Sequence, residues 1–231
     1  EDADLCSRLG MAADTLRLRL LAEADRFVAN SDAVAKWIAP ADSQRCLTLP
    51  NSIAPDLFDL PFHPQTPLRV GMISSNIAKK GLADFLEVAR LCEDWIGKPA
   101  PFRFVLIGPD SPDLQRVRPL PELVTHLGYA RTPTQAVVQV DILLSLSQFA
   151  ESFGRTVYEA LAAGRPVICY DRGTPPDLLG RTSGAGHVVK SNTPRAVSDA
   201  LAHYADNPAA LQAASRAARL RAQEIRDAAA G

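Results

Sequence analysis

The sequence predicts an α/β fold, a doubly wound parallel sheet with helices on both faces, preceded by a remnant of another domain. From about Leu68 onward, short β-favouring runs alternate with helical stretches. That alternation implies parallel strands joined by right-handed crossovers. The 231 residues, 47% of them apolar and 22% charged, suit a globular chain with a full core rather than a disordered one.

The elements follow in order. Residues 4–23, rich in Ala, Leu and Arg, predict a helix, residues 26–29 a short strand and residues 32–38 a short helix. A lone strand forms no sheet, so this part reads as the tail of a preceding domain, and residues 26–38 are expected to pack irregularly or against a neighbouring molecule. Pro50, Pro55, Pro61, Pro64 and Pro67 mark an extended linker. Residues 68–73 are an apolar strand. The following helix, 81–95, carries Leu82, Phe85, Leu86, Ala89 and Leu91 on its apolar face. Residues 102–107 form a strand ended by Gly108-Pro109-Asp110, and residues 123–127 a short strand before Gly128. Residues 133–140 read as a helix with Pro at its start, and 141–146 as a strongly apolar strand. A helix over 153–163 has Ser152 as its N-cap and Gly164 just past its end. Residues 167–170 and 187–189 are strands. The rest, from Thr193, is helical with a break at Asn207-Pro208.

Composition excludes several classes. With 25 basic and 26 acidic residues the net charge is -1, which argues against a dedicated nucleic-acid binder. No apolar run of about 18 residues is present. Cys6, Cys46, Cys92 and Cys169 are scattered, as are His63, His126, His187 and His203. They form no zinc spacing, and reduced thiols in a cytosolic protein are expected. HExxH, GxSxG and the P-loop motif are absent. Glu1-Asp2-Ala3-Asp4 has no basic n-region and no initiator Met. No signal peptide is therefore read there, and a fragment of a longer chain is expected.

Ligands of such sheets bind beyond the carboxyl ends of the strands. The stretch from Ser147 to Val167 holds the chemistry there. An apolar strand ends in a Ser-led loop carrying Glu151, and a helix N-terminus with Gly154 in its first turn follows, a ready anion site. Glu159 lies about two turns beyond Glu151 and reaches the same crevice. Carboxylates accept several hydrogen bonds at fixed angles, which suits sugar hydroxyls. Two plainer readings compete: Glu151 as a carboxylate favouring a helix N-terminus, and Arg155–Glu159 as an exposed i,i+4 pair.

Ser147, Glu151, Phe153, Gly154, Glu159, Ala160, Gly164, Pro166 and Val167 resemble the Glu-x7-Glu signature of the retaining GT-B glycosyltransferases, glycosyl transferases group 1. Other segments resemble that family in the same order. Residues 24–31 look like the last strand of its N-terminal domain, and Pro50-Asn51-Ser52-Ile53 is similar to its linker motif. Lys80-Gly81, residues 105–108 and Leu127-Gly128 match further family positions. Residues 173–178 resemble a Gly-rich turn with Asp177 in the acidic place.

The resemblance implies the Rossmann-like C-terminal domain of a GT-B enzyme. Residues 1–49 would be the tail of the acceptor domain and 50–67 the interdomain linker. Residues 68–192 would bind the nucleotide sugar, and 193–231 would be C-terminal helices. It implies transfer, with retention, of a sugar from a nucleotide-diphosphate sugar to an alcohol acceptor, a glycan or lipid-linked glycan. It calls for no cofactor and no metal, and implies a cytoplasmic enzyme, including the inner face of the membrane. Glu159 would bind ribose hydroxyls and Glu151 sugar hydroxyls. The backbone at Gly154, Arg155 and Thr156 would receive the diphosphate. Lys80 would neutralise the leaving group, and Gly128-Tyr129 would border the base. The family's usual Arg before that Lys is replaced by Ser74 or Ser75. That departure keeps a second reading open, a sugar-nucleotide-binding module without transfer activity. A GT-B nucleotide-sugar 2-epimerase is a third, without a carboxylate and His pattern to support it. Residues 70–74 lack the GxGxxG of a dinucleotide oxidoreductase.

Overall fold

The computed structural model describes residues 2–38, 43–93 and 100–230. Its contacts divide the chain into two compact units, 1–51 and 52–231.

The first unit holds helices α1 (Asp2–Leu9) and α2 (Ala13–Glu23), strand β1 (Phe27–Ala29), helix α3 (Asp32–Ile38) and strand β2 (Cys46–Thr48). The helix expected over 4–23 is thus two helices, separated by a turn at Gly10. Contrary to expectation, β1 does not pack irregularly: it pairs in parallel with β2, Phe27 opposite Cys46 and Val28 opposite Leu47. A three-residue strand has no periodicity to read, which is why β2 escapes sequence analysis. Arg45 caps α2 by donating to the carbonyls of Leu21 at 3.0 Å and Asp25 at 3.2 Å.

The second unit runs β3 (Leu68–Ile73), α4 (Leu82–Glu93), β4 (Phe102–Ile107), α5 (Pro112–Arg116), β5 (Val124–Gly128) and α6 (Pro133–Val137). It continues with β6 (Ile142–Ser145), α7 (Arg155–Ala162), β7 (Val167–Tyr170), α8 (Pro175–Leu179), β8 (Gly186–Val189), α9 (Pro194–Asp206) and α10 (Pro208–Ala230). The six strands form one sheet in the order β5-β4-β3-β6-β7-β8, all parallel. Strand order reverses between β3 and β6, the switch point of a doubly wound sheet. The end of the helix expected at Trp95 lies outside the described residues.

Period-two alternation sorts the strand residues between the faces. Val70, Met72, Phe102, Phe104, Leu106, Ile142, Leu144, Ile168 and Tyr170 join α4 and α9 in one core. Phe85 of α4 meets Phe104 edge to face at 5.6 Å. On the opposite face Leu143, Val167 and Cys169 pack against α7, α8 and α10. The inward positions of α4 are Leu82, Phe85, Leu86, Val88, Ala89 and Cys92. Leu91, expected there, is only half-buried.

The Pro-rich stretch is not an extended linker throughout. Residues Pro55–Asp59 form a 3-10 turn whose Leu57 is fully buried in the second unit. Arg219 donates to the carbonyls of Phe58 at 2.9 Å and of Leu60, and Arg165 to that of Pro61 at 2.8 Å. Five prolines in this stretch signalled an extended backbone; the apolar Leu57 decides that part of it docks.

Asp141, at the mouth of β6, ties this docking to the sheet. Its buried carboxylate accepts from the backbone of Gln65 and Arg69, and from the Arg69 guanidinium at 2.8 Å. Removing one partner of such a pair leaves the other groups desolvated and unpaired. Asp141→Ala is therefore expected to cost about 3 kcal/mol and to lower the Tm by roughly 6–12 °C, with Asp141→Asn less affected because it keeps an acceptor. Thermal denaturation of the three chains measures this.

Candidate functional site

The loops at the carboxyl ends of β3 and β6 diverge at the switch point, and two adjoining cavities open between them. The first, of about 170 Å³, is lined by Ser74, Lys80, Ser147, Glu151, Arg155 and Thr156 among others. The second, of about 590 Å³, is lined by Ser74, Ser75, Gly108, Tyr129, Arg155, Thr156 and Glu159 among others. Ile73, Ser74, Arg155 and Thr156 belong to both. Glu151 and Glu159 therefore border one continuous crevice.

Lys80 ends a 3-10 turn, Ala78–Lys80, docked against the loop after β6: the Gln148 N–H donates to the Lys79 carbonyl at 2.8 Å. From there Lys80 Nζ donates to Glu151 Oε1 at 2.8 Å and lies 4.8 Å from the centre of the Phe149 ring. The Ser147 hydroxyl donates to the same oxygen. Glu151 Oε2 takes no hydrogen bond from any described residue. Glu151 is thus held through one oxygen, three residues before the N-cap of α7, rather than acting as a helix-terminal carboxylate.

The N-cap itself corrects the sequence reading. It is Gly154, with φ +81°, and not Ser152; α7 starts at Arg155. The left-handed conformation favours Gly at this position. The first N–H groups of α7 are those of Arg155 and Thr156, which line both cavities and have no acceptor within the helix.

Glu159, one turn on, is buried, with 7% of its side chain exposed, and Arg155 Nε donates to its Oε1 at 3.0 Å. The i,i+4 pair read from sequence exists, but its acid partner is not exposed. Burial lifts the Glu159 carboxyl above its ordinary range, and the Arg155 charge and hydrogen bond pull against that rise. As with Glu151, the second oxygen is left open.

Ser74 and Ser75 stand at the end of β3. The Ser74 hydroxyl accepts from the Asn76 N–H at 3.0 Å, and fully buried Asn76 donates to the Pro109 carbonyl at 3.0 Å. Gly128 ends β5, and Tyr129, 77% exposed, stands at the rim of the second cavity. Asp177 is exposed on α8.

Of the scaffold behind these residues, sequence pointed to the turn at residues 173–178 but to none of its contacts. A Cβ on Gly173 would come within 2.4 Å of the Glu151 backbone nitrogen, so the turn after β7 lies flush against the Glu151 loop. Thr174 locks it there, its N–H donating to the Glu151 carbonyl at 3.0 Å and its hydroxyl to that of Ser152 at 2.9 Å. Gln148 and the buried Tyr170 both donate to Asp84, at 2.9 and 2.7 Å. The composition of these residues carries no signal of such meetings, which join positions up to 86 apart in sequence. Among the described residues no group of three or more His, Cys, Asp or Glu side chains could hold a metal ion, and no helix is long and apolar enough to cross a membrane.

Solved structures share this fold. The crystal structure of TarM aligns with a TM-score of 0.77 at 21% identity, over 92% of this chain and 43% of that one. Anabaena Alr3699/HepE in complex with UDP aligns at 0.72 and 17%, over 87% of this chain and 59% of that one. A sucrose-phosphate synthase from Thermosynechococcus elongatus aligns at 0.72 and 20%, over 91% and 57%. This chain thus spans about half the length of these proteins. No curated protein sequence matches it. The sequence profile of the family described as glycosyl transferases group 1 matches residues 57–221, which takes in the sheet and both cavities. The chain belongs to the glycosyl transferases group 1 family.

Proposed function

We propose that this chain is the donor-binding half of a retaining glycosyltransferase that moves a sugar from a nucleotide-diphosphate sugar to an alcohol acceptor, a glycan or lipid-linked glycan. The observation that carries the reading is the pair of half-occupied carboxylates, Glu151 and Glu159, bordering one crevice on either side of the α7 N-terminus. Glu159 binds ribose hydroxyls through its open oxygen, and Glu151 binds hydroxyls of the donor sugar. The N–H groups at Arg155 and Thr156 receive the diphosphate, with the Ser74 and Ser75 hydroxyls opposite. The base lies beside Gly128 and Tyr129. As the glycosidic bond breaks, negative charge grows on the departing diphosphate, and Lys80 meets it. Charge is met there by protein groups, so the reading calls for no metal. HepE, whose structures hold UDP, UDP with glucose, or UDP-glucose, supports a uridine donor.

The acceptor side belongs, in this reading, to an N-terminal domain of which residues 1–49 are the tail, and the enzyme works in the cytoplasm, at the inner membrane face where its acceptor is lipid-linked. A binding module without transfer activity is favoured over this only by the neutral Ser74 and Ser75.

Three outcomes follow. Glu159→Ala is expected to weaken free nucleoside diphosphate by about 1.5–3 kcal/mol, whereas Glu151→Ala weakens mainly the intact sugar nucleotide. Titration calorimetry with UDP and UDP-glucose separates them, and equal losses for both ligands in both variants would contradict the roles given.

The 231-residue chain is also expected to bind donor without transferring sugar, since positioning the acceptor is worth roughly 7–11 kcal/mol and needs the second domain. A radiolabelled transfer assay with a panel of acceptors, run on this chain and on one extended upstream, checks this; robust transfer by the shorter chain would refute it.

Burial holds the Glu159 carboxyl in the folded chain above its unfolded value near 4.5. The folded state then keeps the proton longer, so this group's contribution to stability declines as pH rises through that value and the higher folded one. Glu159→Gln should flatten that slope in Tm measured against pH without ligand.

A further inference from the structure

Of the cations around the crevice, Lys80 spends its charge on Glu151 at 2.8 Å, Arg172 donates to the Ser147 carbonyl and Gln148, and Arg131 lines the second cavity alone. Arg155 differs from all three. It is the one cation among the described residues that lines both cavities. Only its Nε is engaged, with Glu159 at 3.0 Å; Nη1 and Nη2 make no hydrogen bond with any described residue. Its side chain is 59% exposed, at the first position of α7, across from Ser74.

We propose that Arg155 is a second diphosphate-binding residue, its two terminal nitrogens engaging the phosphate oxygens while its Nε positions Glu159. The inference rests on the sugar-donor reading above and adds to it a side-chain role that the helix N-terminus alone does not supply. The chemistry fits on two counts. A diphosphate carries more negative charge than one lysine offsets, above all a lysine already paired with a carboxylate, and Ser74 and Ser75 add none. A guanidinium presents five donors in a flat fork, so it can hold a carboxylate with one edge and offer the other to phosphate. The i,i+4 spacing sets the Glu159 contact, and the N-terminal location of Arg155 sets the other beside the free N–H groups of Arg155 and Thr156. One side chain thereby couples the ribose subsite to the phosphate subsite. A ligand lacking phosphates uses only the first half of that arrangement.

The test uses the 231-residue chain, Arg155→Met and Arg155→Lys. Binding of UDP, ADP, GDP and CDP is measured by titration calorimetry, and binding of the four parent nucleosides by NMR titration at millimolar concentration. For the diphosphate that binds, Arg155→Met should lose about tenfold or more in affinity, the size expected for hydrogen bonds to a charged group. The parent nucleoside should lose less than about threefold, as for a lone surface pair. Arg155→Lys should recover part of the diphosphate loss, because a point charge still attracts phosphate. Equal losses for nucleoside and diphosphate would show that Arg155 serves Glu159 alone and would overturn the inference, as would an unchanged diphosphate affinity. If none of the four diphosphates binds the unaltered chain, the sugar-donor reading itself falls, and this inference with it.

Discussion

A parallel sheet cannot be built from hairpins, and that constraint shapes the rest of this chain. Every return from one strand to the next is a crossover over a face of the sheet, so all six carboxyl ends lie along one edge. Crossovers from β3 lead to one side and those from β6 to the other. Where they part, no crossover bridges the edge, and the backbone leaves a crevice. The candidate site needs no further invention of shape. Its floor is the end of β3 and β6, and its wall is the first turn of α7.

What the chain adds is charge held in a particular way. Each of the two carboxylates is gripped through a single oxygen, Glu151 by Lys80 and Ser147, Glu159 by Arg155. A carboxylate gripped through both oxygens would have little left for a hydroxyl ligand, and one gripped through neither would pay the full desolvation penalty. Holding one oxygen keeps the group oriented while its other oxygen stays available. Such an arrangement is not stabilising in itself; burial acts against the charged form of Glu159, and a ligand hydroxyl can relieve it.

Rigidity behind the site comes from long-range contacts rather than from local propensity. Gly173 and Thr174 hold the Glu151 loop from the β7 side. Asp84, Tyr170 and Gln148 hold it from the α4 side. Below, Arg165 and Arg219 take up carbonyls both at the end of α7 and along residues 58–61, so the helix that forms the wall and the entering chain share the same two guanidinium groups. Arg165, only 4% exposed, is held by the carbonyls of Pro61, Val140 and Ala163.

Much of this was legible in the amino acids. Apolar runs such as Phe102–Ile107 and Val167–Tyr170 name their own strands, because a strand covered on both faces must be apolar throughout. The order of strands and helices then locates the carboxyl edge, and the acidic residues on either side of Gly154 mark the candidate site along it. Those features are local: backbone geometry and side-chain periodicity act over a few residues, so sequence fixes them directly. Other features were not legible. The pairing of β1 with β2 joins two three-residue segments, too short to show a period. The docking of Leu57 depends on α6 and α7, against which the 3-10 turn packs. α7 starts at Arg155 rather than Phe153 because Gly154 takes a left-handed conformation, outside the helical region. Whether Lys80 reaches Glu151, and which of their neighbours hold them, is settled only when residues 71 apart are brought within 2.8 Å. A sequence states what each residue can offer, but hydrogen bonds and desolvation depend on distance, and the distances between remote residues exist only once the sheet has assembled.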